Sequence, residues 1–127
     1  MKLTAYADLV KGFNAKVPAE FQLPAKPTGD DLAVGDDSAQ MKVTLAGDEV
    51  TSITVVTDDT DRHTFMTLYV KGVEGGMGWT SAGHYQAMMA TLKDHGEHVS
   101  VEPAVTATYS WADNQVTVVL TPTDNTK

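Results

Sequence analysis

Residues 72–96, GVEGGMGWTSAGHYQAMMATLKDHG, determine the fold that we predict, because a glycine-rich segment runs directly into an amphipathic pattern. Glycines allow positive φ, and Thr80 or Ser81 is a typical helix N-cap. Four apolar residues then recur at helical spacing: Tyr85, Met88, Met89 and Leu92. We therefore expect a central helix over 80–95, with Gly96 as its C-terminal cap.

On either side of this stretch the apolar residues alternate with polar ones, which is typical of strands. Residues 41–45 and 50–57 alternate around a Gly47-Asp48 turn and predict a hairpin, and 63–71 predicts a third strand. After the central helix, 99–102 predicts an edge extension, because Pro103 interrupts it, and 105–111 and 116–120 predict a second hairpin.

The N-terminal residues predict a helix over 3–17, capped by Thr4 and ended by Pro18. Its apolar stripe consists of Leu3, Tyr6, Val10, Phe13 and Val17. Residues 18–38 hold three prolines and four aspartates and show neither the alternation of a strand nor the spacing of an amphipathic helix. They predict a long acidic connector, attached to the body of the domain through Phe21 and Leu23. We expect one domain over 1–121 and a disordered tail over 122–127.

The predicted fold class is α+β: one antiparallel sheet of about five strands, with the N-terminal and central helices packed on one face. In element order alone, helix, three strands, helix and two strands, the chain resembles the fold of type III secretion chaperones. That resemblance implies a small acidic homodimer that binds partner proteins, and it assigns no residue roles. The chain departs from the family by ending in TPTDNTK, where the family continues into a third helix.

Charge excludes several classes of partner. The chain of 127 residues carries 17 Asp and Glu against 9 Lys and Arg, a net charge of −8, and the basic residues are scattered. Nucleic acids and anionic membranes attract clustered basic residues, so we expect neither as a partner. No cysteine is present, which excludes disulfides and thiolate metal sites. Because the sequence shows neither a signal-peptide core nor a membrane span, the expected location is cytoplasmic.

The function that we favour is a non-catalytic protein-interaction or chaperone-like module, acting as a homodimer or on a partner protein. Met88 and Met89 form an adaptable apolar pair on the central helix, and the open sheet face is the other candidate surface. We expect no enzyme activity and no cofactor, because no serine lies in a G-x-S-x-G setting and the glycine-rich segment lacks a phosphate-binding pattern.

The first alternative is a small-molecule pocket between the sheet and the central helix. Its expected lining, shared with the partner-binding surface, is Trp79, His84, Tyr85, Met88 and Met89.

The second alternative is a divalent-metal site at the end of that helix, formed by Asp94, His95, Glu97 and His98. His84 precedes His95 by about 16 Å along a helix, too far to share one ion, so a further ligand such as His63 would be required. The acidic pairs of the connector and the turn over 58–63 are weaker cation candidates.

Overall fold

The computed structural model of the protein describes residues 3–17, 19–24, 26, 31–35, 39–58, 66–78, 82–101 and 105–122. Its helices are α1 (Tyr6–Asn14), a 3-10 turn (Ala19–Phe21), a π-helix (Met66–Gly75) and α2 (Ala82–Asp94). Its strands are β1 (Thr4–Ala5), β2 (Asp31–Gly35), β3 (Ala39–Ala46), β4 (Glu49–Asp58), β5 (His98–Val101), β6 (Val105–Ala112) and β7 (Gln115–Pro122).

All seven strands belong to one antiparallel sheet in the order β2-β3-β4-β7-β6-β5, and β1 pairs with β4. The β3–β4 hairpin turns at Gly47, whose φ is 67°, and the β6–β7 hairpin turns at Asp113 and Asn114, with φ of 53° and 64°. Tight hairpin turns favour these residue types because they require positive φ. The second hairpin therefore lies beside β4, and β5 ends the sheet in the described part of the chain.

One face of the sheet forms the core and the other remains open. Val43 pairs with Ile53, which pairs with Leu120, and all three side chains are buried. The alternate residues, such as Lys42 and Thr54, are exposed or partly exposed. Because the inward residues form one cluster with those of α1, the π-helix and α2, the helices cover a single face, as predicted.

The prediction of a third strand over 63–71 is wrong, since Met66–Gly75 forms a π-helix. Apolar residues occupy both alternating positions in this segment, and periodicity alone cannot separate a short buried strand from a helix. Tertiary packing decides between them: Tyr69 and Val73, four residues apart, are both fully buried. A Cβ on Gly72 would lie 2.5 Å from the Phe13 ring, so this helix packs closely on α1.

The predicted connector contains more structure than expected. Asp31–Gly35 forms the edge strand β2, which pairs with β3 and buries Leu32. Phe21 and Leu23 are buried, as predicted. The Asn14 side chain holds this segment, because its Nδ2 donates to the Leu23 carbonyl at 3.0 Å and its Oδ1 accepts from the Leu23 N–H at 2.8 Å. The acidic pair at 36–37 and Asp30 lie outside the described residues.

α1 is shorter than predicted, and α2 ends at Asp94, one residue before the predicted end; the predicted start of α2 at 80–81 lies outside the described residues. Ala5 takes the N-cap position of α1 without a side-chain cap, so the prediction that Thr4 caps this helix is wrong, and Leu9 rather than Val10 lies fully inside. In α2, Met88 and Leu92 are buried, as predicted. Thr91 is also buried, while Met89 points outward and is 42% exposed.

The observed element order removes the basis for the resemblance to type III secretion chaperones, because a π-helix replaces the third strand and β2 lies within the predicted connector. Residues 123–127 of the predicted tail lie outside the described residues, and Pro122 belongs to β7. Among the helices that the structure describes, none has the length and apolar composition needed to cross a bilayer.

Candidate functional site

Of the five predicted pocket residues, the structure describes the side chains of His84, Met88 and Met89. His84 and Met88 are each 1% exposed and lie in the layer between α2 and the sheet, whereas Met89 lies on the outer side of the helix. Trp79 and the Tyr85 side chain lie outside the described residues. The proposed pocket lining stays a prediction, and among its three described side chains Met89 is the exposed one.

The four predicted metal ligands form a helix end. Both carboxylate oxygens of Asp94 lie 3.0 Å from His98 Nε2, and Asp94 Oδ1 also accepts from the Gly96 N–H at 2.8 Å. His95 takes a positive φ of 58°, the left-handed conformation that commonly ends helices, and its ring stacks on Trp111 with centroids 3.8 Å apart. Glu97 is exposed.

These contacts explain the electrostatics of the helix end. The Gly96 N–H, followed by His98, lowers the pKa of the Asp94 carboxyl below its ordinary value. A structural zinc site takes four ligands and a catalytic one three. Within the described ranges no group of three His, Cys, Asp or Glu side chains is placed to hold a metal ion. Metal binding at this helix end stays a prediction, and of the four predicted ligands the structure brings Asp94 and His98 into contact.

A buried polar cluster joins the π-helix to the sheet, and sequence reasoning missed it. Tyr69 OH lies 2.5 Å from Glu74 Oε1 and also hydrogen-bonds the Tyr109 hydroxyl, which lies 3.4 Å from Glu74 Oε1. The two tyrosine side chains are fully buried and Glu74 is 5% exposed. Burial raises the pKa of the Glu74 carboxyl, and the hydrogen bonds from Tyr69 and Tyr109 oppose that rise.

The cluster lies inside the fold, and its hydrogen bonds join the π-helix to β6. Burial is also the main cause of the raised pKa of Tyr69 and Tyr109, because an ionised phenol would be desolvated there. The available sequence signal was weak: Glu74 is a lone acid within a glycine-rich, apolar stretch. Its partner Tyr109 lies 35 residues away, and only the fold brings the two together.

The second feature of the helical layer is a close crossing between α1 and the end of the π-helix. A Cβ on Gly12 would lie 2.2 Å from the Gly76 carbonyl oxygen, so the two backbones are nearly in contact. A groove of about 520 Å³ runs beside this crossing, lined in part by Asp8, Lys11 and Met77. It is shallow, and the polar groups on its rim are exposed.

The third feature is an apolar surface formed by α2 and β5, which we call the α2–β5 surface. Among the described residues, the large hydrophobic side chains that are exposed are Met89 at 42%, Val99 at 53% and Val101 at 64%. Val99 and Val101 lie on the open face of the terminal strand. Met89 lies on α2, which packs on β5 and β6 from the other side. A hollow of about 450 Å³ lies beside Met89, lined also by Ala90, Leu92 and Lys93.

Val99 and Val101 are neighbours on one face of β5, and Met89 lies on the helix that covers the other face of the same strand. Exposed apolar side chains that lie together mark interaction sites more often than single ones do. A terminal strand also offers backbone groups on its outer edge to another strand. The α2–β5 surface joins both properties, which makes it the strongest candidate site in the described part of the chain. In comparisons with known proteins, no protein family, curated protein or solved structure matches this chain.

Proposed function

We propose that this protein is a non-catalytic interaction module that binds another protein chain through the α2–β5 surface. One observation carries the proposal: the exposed large hydrophobic residues of the described chain, Met89, Val99 and Val101, all lie at the same end of the sheet. Burying such side chains against a partner is favourable at about 25 cal/mol for each Å² removed from water.

The mode of binding follows from the position of β5. An edge strand binds by adding a strand from the partner, with backbone hydrogen bonds providing affinity and alternate side chains providing specificity. On the open face, Val99 and Val101 would meet the partner strand as such alternate side chains. β5 is four residues long, and two of its side chains, Val99 and Val101, are exposed valines that a partner strand would cover.

Photo-crosslinking at chosen positions tests this proposal. A benzophenone amino acid replaces Val101 in one variant and Met89 in another, and the protein is irradiated in the cells that produce it. The matched control carries the same group at Ala33, an exposed position on the open face of β2 at the opposite edge of the sheet.

We expect covalent protein adducts of defined mass from positions 101 and 89 and none from position 33. Equal adduct formation at all three positions, or none at any, would contradict a docking role for the α2–β5 surface. Far-ultraviolet circular dichroism and melting temperature establish that each variant is folded like the parent protein.

A further inference from the structure

We infer that the partner covering the α2–β5 surface is a second copy of this chain, joined by antiparallel pairing of the two β5 strands about a two-fold axis. The inference rests on the proposed function and names the partner that the surface fits. Isologous contacts of this kind are the commonest way in which identical chains associate.

The α2–β5 surface has two layers. Val99 and Val101 lie on the open face of the sheet, whereas Met89 lies in the helical layer on the other side. A lone extended segment would extend the sheet edge and leave the helical layer uncovered. A partner must bring a strand and a helix in the same relative placement to cover both layers, and a second copy has that placement by construction.

The register of two paired β5 strands also favours a second copy. Directly opposite residues of an antiparallel pair lie on the same face of the sheet. A two-fold axis perpendicular to the sheet keeps both α2 helices on one face, so Ser100 can lie opposite the partner's Ser100, with Val99 opposite the partner's Val101. This register forms two valine pairs on the open face. A register with Val99 opposite the partner's Val99 would instead place Val101 opposite the partner's Glu97.

The shape of the helical layer also suits a second copy. Met89 protrudes beside a hollow of about 450 Å³ on the same helix. When two α2 helices lie side by side across the axis, each Met89 faces the hollow of the other copy. Methionine suits this position because its unbranched, polarizable side chain adapts to irregular gaps.

The net charge of the chain predicts how self-association depends on salt concentration. Each chain carries a net charge of −8, so two copies repel each other at long range. Salt screens that repulsion, with a Debye length that falls from about 30 Å at 0.01 M to about 10 Å at 0.1 M. Self-association therefore tightens as salt is added, whereas the binding of a cationic partner weakens.

Cysteine crosslinking tests the strand pairing directly, because the chain has no cysteine of its own. Two designs are used: Ser100→Cys alone, and a one-to-one mixture of Val99→Cys and Val101→Cys. Neighbouring cross-strand positions alternate between hydrogen-bonded and non-hydrogen-bonded pairs, so one of the designs meets the closer geometry, which favours a disulfide. Ala33→Cys, at the opposite edge, is the matched control.

Under mild oxidation we expect a covalent dimer from at least one β5 design and none from Ala33→Cys. Light scattering on the unmodified protein should give twice the monomer mass of 13.6 kDa at high concentration, with a dissociation constant that falls several-fold between low and moderate salt. Val101→Lys should raise that constant at least tenfold, and Ala33→Lys should leave it unchanged.

A monomeric mass at all concentrations without a β5 crosslink would overturn the inference, and so would equally efficient crosslinking through Ala33→Cys. If the purified protein is monomeric while photo-crosslinking at position 101 captures a different protein, the inferred dimer is wrong and the proposed function stands. If neither photo-crosslinking nor cysteine crosslinking gives an adduct, the inferred dimer and the proposed function are both wrong.

Discussion

At the scale of single residues, the least expected feature is the carboxyl of Glu74, buried with two tyrosine hydroxyls. A carboxylate inside a protein is costly unless it is well hydrogen-bonded, and burial here raises the pKa despite two hydroxyl partners. The protonated form is therefore favoured in the folded protein relative to the unfolded chain, so Glu74 couples stability to pH.

The first prediction follows from this coupling. Because the folded-state pKa of Glu74 is raised above its ordinary value of 4.5, its contribution to stability is greatest below pH 4.5 and declines as pH rises through the folded-state pKa. Glu74→Gln removes that decline. The difference in unfolding free energy between variant and parent should grow in favour of the variant, by up to about 1.4 kcal/mol for each pH unit in the window.

Urea unfolding from pH 4.5 to 8 measures this difference. Glu97→Gln is the matched control for the loss of one carboxyl, because the Glu97 side chain is exposed. A constant difference between Glu74→Gln and the parent across this range would show that Glu74 does not couple stability to pH.

The second prediction concerns Asp94 at the end of α2. Hydrogen bonds from the Gly96 N–H and His98 lower its pKa, so the stabilisation that they provide is present above pH 3.8 and is lost as pH falls through the lowered value. Carbon-13 NMR titration should place the Asp94 midpoint below 3.8. His98→Ala should raise the midpoint only part of the way, since the Gly96 contact remains; a full return to 3.8 would mean that His98 alone is responsible.

At the scale of elements, the crossing of α1 with the π-helix depends on two glycines. Gly12 and Gly76 face each other so closely that a Cβ on either would lie within 2.5 Å of a backbone oxygen of the other. Backbone atoms cannot rotate away as side chains can, so the two helices would have to separate. This contact holds the π-helix in the position where Tyr69 and Glu74 meet Tyr109.

The third prediction tests that crossing. Alanine is intrinsically more favourable than glycine within a helix by about 1 kcal/mol. Gly12→Ala should nevertheless destabilise the protein by about 1–3 kcal/mol, the usual cost of overpacking. Lys11→Ala, an exposed change in the same helix, should stay within about 0.5 kcal/mol of the parent. Denaturant midpoints measure both, and a stabilised Gly12→Ala protein would rule out the close contact.

At the scale of the whole molecule, the sheet has a protected centre and two edges. Strands β4 and β7 pair on both sides, whereas β2 and β5 each pair with one described strand. The buried face of the centre is apolar, with Ile53, Val118 and Leu120 between the helices and the strands. The free energy of local opening should therefore be larger for β4 and β7 than for β2 and β5, because it increases with the number of buried contacts and inter-strand hydrogen bonds.

The fourth prediction is therefore a gradient of amide hydrogen exchange. We expect the slowest exchange in β4 and β7 and faster exchange in β2 and β5 at low protein concentration. Raising the concentration should slow exchange in β5 but not in β2, because only β5 lies at the proposed dimer interface. Equal exchange in β4 and β5 in the dilute protein would contradict the observed strand order.

The fold class, both hairpins and the existence of α1 and α2 could be predicted from the amino-acid sequence, because alternation and helical spacing are local properties of the chain. The outward position of Met89, the pairing of Tyr109 with Glu74 and the π-helix at Met66–Gly75 depend on tertiary contacts. An apolar residue can face the core or a partner equally well by its chemistry. Its orientation depends on contacts between segments far apart in the chain, and local periodicity does not predict those contacts.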